Sequence, residues 1–446
     1  MSKNHLFLTA FILISAFQTW QAQDEVNPYK KLTKQFIGAV KRNEPYKNYR
    51  FFDTTFFGKM TEAATEKKVN DFLKKHGPIV AIEKTEIDTQ GCKMATATAI
   101  KVAKGKFIWY HFYDQSHYIN RFEIDTFSKQ PWFYEPEPLK GTNFSQKEIL
   151  LRPTEYIQLP GTAFIPQSQK KVPIVILVHG SGPHDRNCTM GKNKIFRDMA
   201  LQLVQMGIGV LIYDKRTYVY QFSRIEHPDS MDYNSETVND AVEAFYAAKR
   251  IPGVDSNRVF VAGHSLGAMC APLIAQKCKG LKGLILLAAP GRGLLEILPE
   301  QLDYILSTKT DPKEKEETEK IVNSVKWQVN NALKPDLNLK SKTMLPFGAR
   351  PKYWLFDRNY KVLEEAKKLA IPVLHIQGGR DYNVTKKDYE LWKEAMKEKS
   401  NYKAVWLENL DHLFFEGSGM AKPEDALKPN HVHQSLTGAM AEFILK

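Results

Sequence analysis

Val259-Phe260-Val261-Ala262-Gly263-His264-Ser265-Leu266-Gly267 is the stretch that decides how this chain is read. Val259 to Ala262 contains no polar side chain, as expected of a strand buried on both faces. Leu266 to Lys277 then reads as a helix, and Gly263 and Gly267 stand two places either side of Ser265. A chain that leaves a strand and enters a helix at once must turn sharply, and the glycines let it turn and pack closely. Such a turn lifts the Ser265 hydroxyl above the sheet, beside the unsatisfied N–H groups and positive dipole end of the helix. The five-residue pattern alone arises by chance in about one chain of this length in ten, so its place between strand and helix gives it meaning.

Outward from that turn the sequence alternates. Val172 to Val178 is a continuous apolar run, Ile195 to Met206 a helix, and Val210 to Tyr213 a strand. Val238, Ala241, Val242, Phe245 and Ala248 fall on one helical face. Beyond the serine, strands at Leu284 to Ala288, Pro372 to Ile376 and Ala404 to Leu407 continue the pattern, with a helix at Tyr389 to Lys399. Repeated strand–helix units predict an α/β fold with a mostly parallel sheet covered by helices, here spanning residues 136–446. Residues 291–369 interrupt the rhythm with additional helical sequence, a candidate cap inserted above the sheet.

A serine hydroxyl is a weak nucleophile until a base takes its proton, and that base needs an orienting carboxylate. The carboxylate is sought in a loop ending a later strand. Gly378-Gly379-Arg380-Asp381 ends the strand at Ile371 to Gln377, so Asp381 is the candidate. The preceding strand ends in Ala288-Ala289-Pro290 without a carboxylate, and Asp357, in the cap, reads as a surface residue. The base should follow the last strand, which places His412 in the required loop, 31 residues after Asp381. His431 and His433 compete with it, but they sit in a polar loop ahead of the terminal helix, and Asp411 reads as a loop carboxylate. Two backbone donors are needed for a developing oxyanion. Leu266 N–H is one, and the loop His179-Gly180-Ser181-Gly182-Pro183 supplies the other through Ser181, with Gly182 the close alternative. His179 reads as a brace for that loop.

Taken together and in order, His179 to Pro183 with Asp185-Arg186, Tyr213-Asp214-Lys215-Arg216, Gly263 to Gly267, Gln377 to Tyr382 and Asp411-His412-Leu413-Phe414 cover the last two thirds of the chain. As a set they resemble secreted bacterial α/β-hydrolase esterases of the dienelactone-hydrolase-like branch. The resemblance implies an α/β-hydrolase fold and hydrolysis of acyl esters by Ser265, Asp381 and His412. The expected substrate is a small-molecule or glycan-linked ester, and the alternatives are a serine peptidase or acyltransferase on the same fold, or a non-catalytic binding protein. The family's usual glycine-rich turn after the Asp-Lys-Arg stretch is replaced here by Thr217-Tyr218-Val219-Tyr220, which predicts a bulkier loop. Tyr353, Trp354, Leu355 and Phe356 in the cap suit either apolar substrate contacts or packing of the cap.

The N-terminal part is different in kind. Lys3 followed by the apolar run Leu6 to Phe17 is too short to span a bilayer, and the polar stretch Gln18 to Asn27 follows, so residues 1–22 read as an export signal with cleavage near Ala22. The mature protein is therefore expected in a secreted or periplasmic location, without a stable membrane anchor. Residues 24–135 read as a small α+β domain, with helices at Tyr29 to Arg42 and Glu66 to His76 and strands at Ile79 to Asp88, Cys92 to Val102, Lys106 to Tyr113 and His117 to Ile124. That element order resembles the cone-shaped nuclear-transport-factor-two-like fold. Pro131, Pro136 and Pro138 suit an extended linker over Gln130 to Leu139.

Composition narrows the function further. The chain has 446 residues and 63 Lys and Arg against 50 Asp and Glu, a net charge of +13. The charges interleave, as in Lys309 to Lys320, and no single-sign block marks a nucleic-acid partner. Cys92, Cys188, Cys270 and Cys278 have no Cys-x-x-Cys spacing, so no metal site is expected, and nothing implies a cofactor. Cys270 and Cys278 on one helix would lie about 12 Å apart, beyond disulfide reach.

Overall fold

A computed structural model describes residues 28–42, 62–88, 95–113, 119–126, 144–154, 157–219 and 231–446. The export segment, the proline-bearing linker, Cys92, His117 and Tyr220 lie outside the described residues. The chain divides into two compact units, one of them residues 18–134 and the other including residues 135–446.

In the smaller unit, helices α1 (Pro28–Lys41) and α2 (Glu62–His76) accompany an antiparallel sheet in the order β1 (Ile79–Asp88), β2 (Ala95–Val102), β3 (Gly105–Tyr113), β4 (Ile119–Thr126). The apolar face of α1 explains why the helix forms here: Phe36, Ile37 and Val40 are buried. Phe36 meets the His111 ring edge-on at 5.3 Å, and Phe72 of α2 meets Phe107 edge-on at 4.9 Å. His111 is a packing residue, and burial pushes its pKa down to about 3.

The larger unit is built on an eight-stranded sheet. Its strands are β5 (Phe144–Leu151), β6 (Leu159–Pro166), β7 (Val172–Val178), β8 (Gly209–Tyr213), β9 (Val254–His264), β10 (Gly283–Leu287), β11 (Val373–Gly378) and β12 (Tyr402–Leu407). They lie in the order β12-β11-β10-β9-β7-β8-β6-β5. The six from β12 to β8 pair in parallel, whereas β6 pairs antiparallel with β8, and β5 with β6. The strands β5 and β6 are not marked in the sequence by the strand–helix rhythm, because two consecutive antiparallel strands need no crossover helix between them.

Alternation along β7 shows how the core is divided. Ile174, Ile176 and Val178 face one hydrophobic cluster, and Val175 and Leu177 face the other. The first cluster is completed by helices α4 (Asn239–Lys249) and α5 (Leu266–Lys277), the second by α3 (Ile195–Gln205) and α11 (Gln434–Leu445). Helices on both faces explain why the central strands carry unbroken apolar runs.

Between β10 and β11 the chain inserts four helices: α6 (Leu294–Ser307), α7 (Pro312–Leu333), α8 (Pro351–Asn359) and α9 (Val362–Lys367); α10 (Lys386–Met396) then follows β11. Asp311 caps α7 by accepting from the Lys313 and Glu314 amides, with Pro312 in the first turn. Trp354 and Tyr353 are buried in the first cluster, so they pack the insertion rather than project from it. Asp357 corrects the expectation of a surface carboxylate. It is 3% exposed and accepts from the Leu294 and Leu295 amides at 2.7 and 3.0 Å and from the Tyr233 hydroxyl at 2.5 Å. It therefore supplies acceptors to the first turn of α6 from 63 residues away.

Candidate active site

The turn after β9 carries its strain on one residue. Ser265 has φ 55° and ψ −119°, in the region L-residues avoid, at the junction of β9 and α5. Its amide donates to Leu287 O at 2.9 Å, so the turn is tied to the end of β10. The flanking glycines are needed for space. A Cβ on Gly263 would collide with the Gly267 carbonyl, and one on Gly267 with the carbonyls of Val178 and His179. Neither glycine has a positive φ, so close approach of backbone to backbone excludes a side chain there.

Asp381 and His412 come together beside that turn. His412 Nδ1 lies 2.7 Å from Asp381 Oδ2, with the Asp381 side chain fully buried and that of His412 14% exposed. Asp381 is held from all sides. Its Oδ1 accepts from the Asn383 and Val384 amides at 2.8 and 2.9 Å, and its Oδ2 also accepts from the Gln377 side-chain amide at 3.0 Å. Gly378 and Gly379 bring this loop against the next one, since a Cβ on either would strike the backbone of Leu410 or Glu408. Arg380 N–H donates to Leu410 O at 2.9 Å, and the Arg380 guanidinium donates to Phe415 O and Gly419 O at 3.2 and 2.7 Å. The loop carrying His412 is thus braced from the loop carrying Asp381.

His264, the residue before the serine, completes the link. Its Nε2 lies 2.8 Å from His412 O, and a carbonyl can only accept, so Nε2 carries the proton. The His264 and His412 rings are 4.7 Å apart. Burial, reinforced by repulsion from His412, pushes the His264 pKa down to about 3, so His264 is a neutral brace. With Nδ1–H donated to Asp381, the neutral His412 imidazole presents Nε2 as an acceptor. Gln377 and His264 have structural roles that no spacing rule would have revealed.

The loop after β7 also reaches the serine. A Cβ on Gly180 would lie 3.1 Å from the Ser265 Cβ, so the Gly180 backbone is in contact range of the serine. His184 Nε2 donates to Ser181 O at 2.8 Å and the Thr217 hydroxyl to Gly182 O at 3.2 Å. His179 donates through Nε2 to Tyr213 O at 2.8 Å and stacks on Phe196 at 4.5 Å, the bracing role expected of it. Leu266 is the first residue of α5, where amides lack helical acceptors.

The remaining candidates lie elsewhere. His431 pairs with Asp198 of α3 at 3.1 Å, and His433 accepts from the Ser435 amide as the cap of α11. Asp411 accepts from the Leu413 and Phe415 amides, both at 2.9 Å, as a loop carboxylate. Thr217 and Tyr218 are buried in a short helical turn, Arg216–Val219. Cys188, Cys270 and Cys278 are free and buried, and among the described residues no cluster of His, Cys, Asp or Glu is arranged to hold a metal ion. No described helix is long and apolar enough to cross a membrane.

Six parallel strands with helices on both faces, and a serine on the turn that leaves the central strand β9, define an α/β hydrolase. The family model described as Serine aminopeptidase, S33, matches residues 169–416, and the chain belongs to that family. It is 36% identical over 311 residues to Esterase EstD of Thermotoga maritima, a match covering 70% of each chain. Among solved structures it is similar to Est1E from Butyrivibrio proteoclasticus, with a TM-score of 0.42 and 19% identity, covering 67% of this chain and 97% of that one. The Pyrococcus furiosus esterase Pf2001 gives a TM-score of 0.42 at 15% identity, over 68% of this chain and 92% of that one.

Proposed function

We propose that this carboxylic ester hydrolase works through an acyl-enzyme formed on Ser265, with His412 as base and Asp381 as its orienting carboxylate. The observation that carries the reading is the 2.7 Å contact between His412 Nδ1 and the buried Asp381, beside a serine held at φ 55° in a nucleophile elbow. His412 Nε2 takes the hydroxyl proton as Ser265 Oγ bonds to the ester carbonyl carbon. The proton then passes to the leaving alkoxide as the ester C–O bond breaks. Water attacks the acyl carbonyl as His412 takes its proton, and His412 returns that proton to Ser265 Oγ as the acyl C–O bond breaks and the acid departs. The Leu266 and Ser181 amides stabilise the oxyanion in both halves.

The ester preference is drawn from the curated relative, which is named an esterase. A second reading, cleavage of peptide amides, draws on the family's description. The substrate is a small-molecule or glycan-linked ester, and nucleic acid is not a partner. Residues 1–22 serve export, so the enzyme acts in a secreted or periplasmic setting, and residues 24–135 form a cone-like domain ahead of residues 136–446. Residues 291–369 form the cap of that second domain.

The test is chemical. A fluorophosphonate should label the wild-type protein at Ser265 and hydrolysis of short acyl esters should be measurable. Ser265→Ala should lose both. Label found on another residue, or ester turnover persisting in Ser265→Ala, would overturn the assignment. An ester and an amide sharing one acyl group separate the two readings by which is cleaved.

A further inference from the structure

Lys215 is a buried cation that the triad does not use. Its side chain is 2% exposed, yet Nζ donates to Gly180 O at 2.7 Å and to Glu236 Oε1 at 2.5 Å. Glu236, equally buried, lies in a π-helical segment (Asn234–Val238), and its other oxygen accepts from the Tyr353 hydroxyl at 2.8 Å. Tyr353 belongs to α8 of the helical insertion. A continuous line of polar contacts therefore runs from the insertion through Glu236 and Lys215 to the Gly180 carbonyl.

The Gly180 carbonyl is the sensitive point. In a trans peptide the C=O and the following N–H point in opposite directions, so fixing Gly180 O on one side fixes the Ser181 N–H on the other. Gly180 itself lies against Ser265, where a Cβ would come within 3.1 Å of the serine's Cβ. A fully buried ion pair contributes little net stability, because desolvation of both charges offsets their attraction. Orientation of this peptide is a use that such a pair can serve.

We infer that Lys215 is a positioning residue for the oxyanion-binding peptide, and that Glu236 and Tyr353 couple its grip to the seating of the helical insertion. The inference rests on the triad reading above, since it concerns the donor opposite Leu266. Lys215 touches no reacting atom. It acts by setting the direction of the Ser181 amide, a donor whose value depends on aim in the transition state.

The experiment uses the purified full chain and a chromogenic short acyl ester. Lys215→Met alone strands the Glu236 charge in the interior and can unfold the protein, so the decisive variant is Lys215→Met with Glu236→Gln, which removes both charges at similar volume. That double variant should melt near wild type, and its kcat should fall about 10- to 100-fold with KM changed by less than about threefold. Affinity for a trifluoromethyl ketone, which forms a tetrahedral adduct on the serine, should fall with kcat/KM, while affinity for the carboxylic acid product should not. Tyr353→Phe, which cuts only the link to the insertion, should show the same pattern at about two- to tenfold. A folded double variant with kcat within about twofold of wild type, or with its loss confined to KM, would sink the inference. So would unchanged ketone affinity alongside reduced kcat. Fluorophosphonate labelling of wild-type Ser265 is scored separately, so failure of the triad reading shows there and failure of the positioning role shows only in the variants.

Discussion

Replacing Asp381 with asparagine changes one atom of the site and reverses its hydrogen-bond logic. Asp381 Oδ1 accepts from two backbone amides, and Oδ2 accepts from the Gln377 side chain and from His412 Nδ1. The asparagine oxygen must stay at the Oδ1 place, because turning the NH2 group there would set it against two N–H groups that cannot move. The NH2 group then occupies the Oδ2 place and faces the imidazole as a donor. His412 can answer only by moving its proton to Nε2, leaving Nδ1 as acceptor. In that tautomer the nitrogen meant for the serine proton is already occupied. The expected loss in kcat is on the order of 10⁴-fold, or about 5.4 kcal/mol of barrier. The buried donor–donor contact with Gln377 should add a stability loss of about 1–3 kcal/mol. Both are measurable: kcat on p-nitrophenyl acetate at neutral pH, and urea unfolding of the same preparation. A folded Asp381→Asn protein retaining more than about a thirtieth of wild-type kcat would refute the tautomer argument.

Three further outcomes follow from the packing and the buried charges. Gly267→Ala would drive a Cβ into the carbonyls of Val178, the last residue of β7, and His179 just beyond it, so the urea midpoint should drop by an amount worth about 3 kcal/mol or more. Asp357→Ala leaves two amides of α6 and the Tyr233 hydroxyl without their acceptor, at a cost of about 2–4 kcal/mol in a thermal melt. A loss under about 0.5 kcal/mol would contradict the capping role. Burial raises the Asp411 pKa to about 6, so the folded chain holds that proton more tightly than the unfolded one. The stability it contributes is complete below about pH 4 and is lost as pH rises through about 6. Asp411→Asn should therefore gain stability relative to wild type across that window, on the order of 3 kcal/mol by pH 7, and a pH-independent difference in urea midpoint would refute this.

Much of this molecule is legible in local sequence because the physics behind it is local. A strand buried on both faces must be apolar throughout, and β7 and β10 are. A strand-to-helix turn that presses backbone on backbone must place glycines where no Cβ fits, and Gly263 and Gly267 stand there. Asp381 and His412 stand in the loops that leave the later strands, and which loops those are is a matter of chain order. Boundaries were less legible. β9 begins at Val254, five residues before the apolar run, because Asp255 to Arg258 form strand without hydrophobic pattern.

What the sequence determined by itself is therefore the periodic part: the alternation of apolar strands and helices, and the loops that carry serine, carboxylate and imidazole. Only the tertiary structure decided that β5 and β6 close the sheet antiparallel, that Asp357 is an internal cap, and that Gln377 and His264 brace Asp381 and His412. It alone joined Lys215 to Glu236 and Glu236 to Tyr353, 21 and 117 residues apart. The reason is that periodicity records which face of an element is buried, while a buried polar contact depends on which element lies opposite, and no spacing along the chain encodes that neighbour.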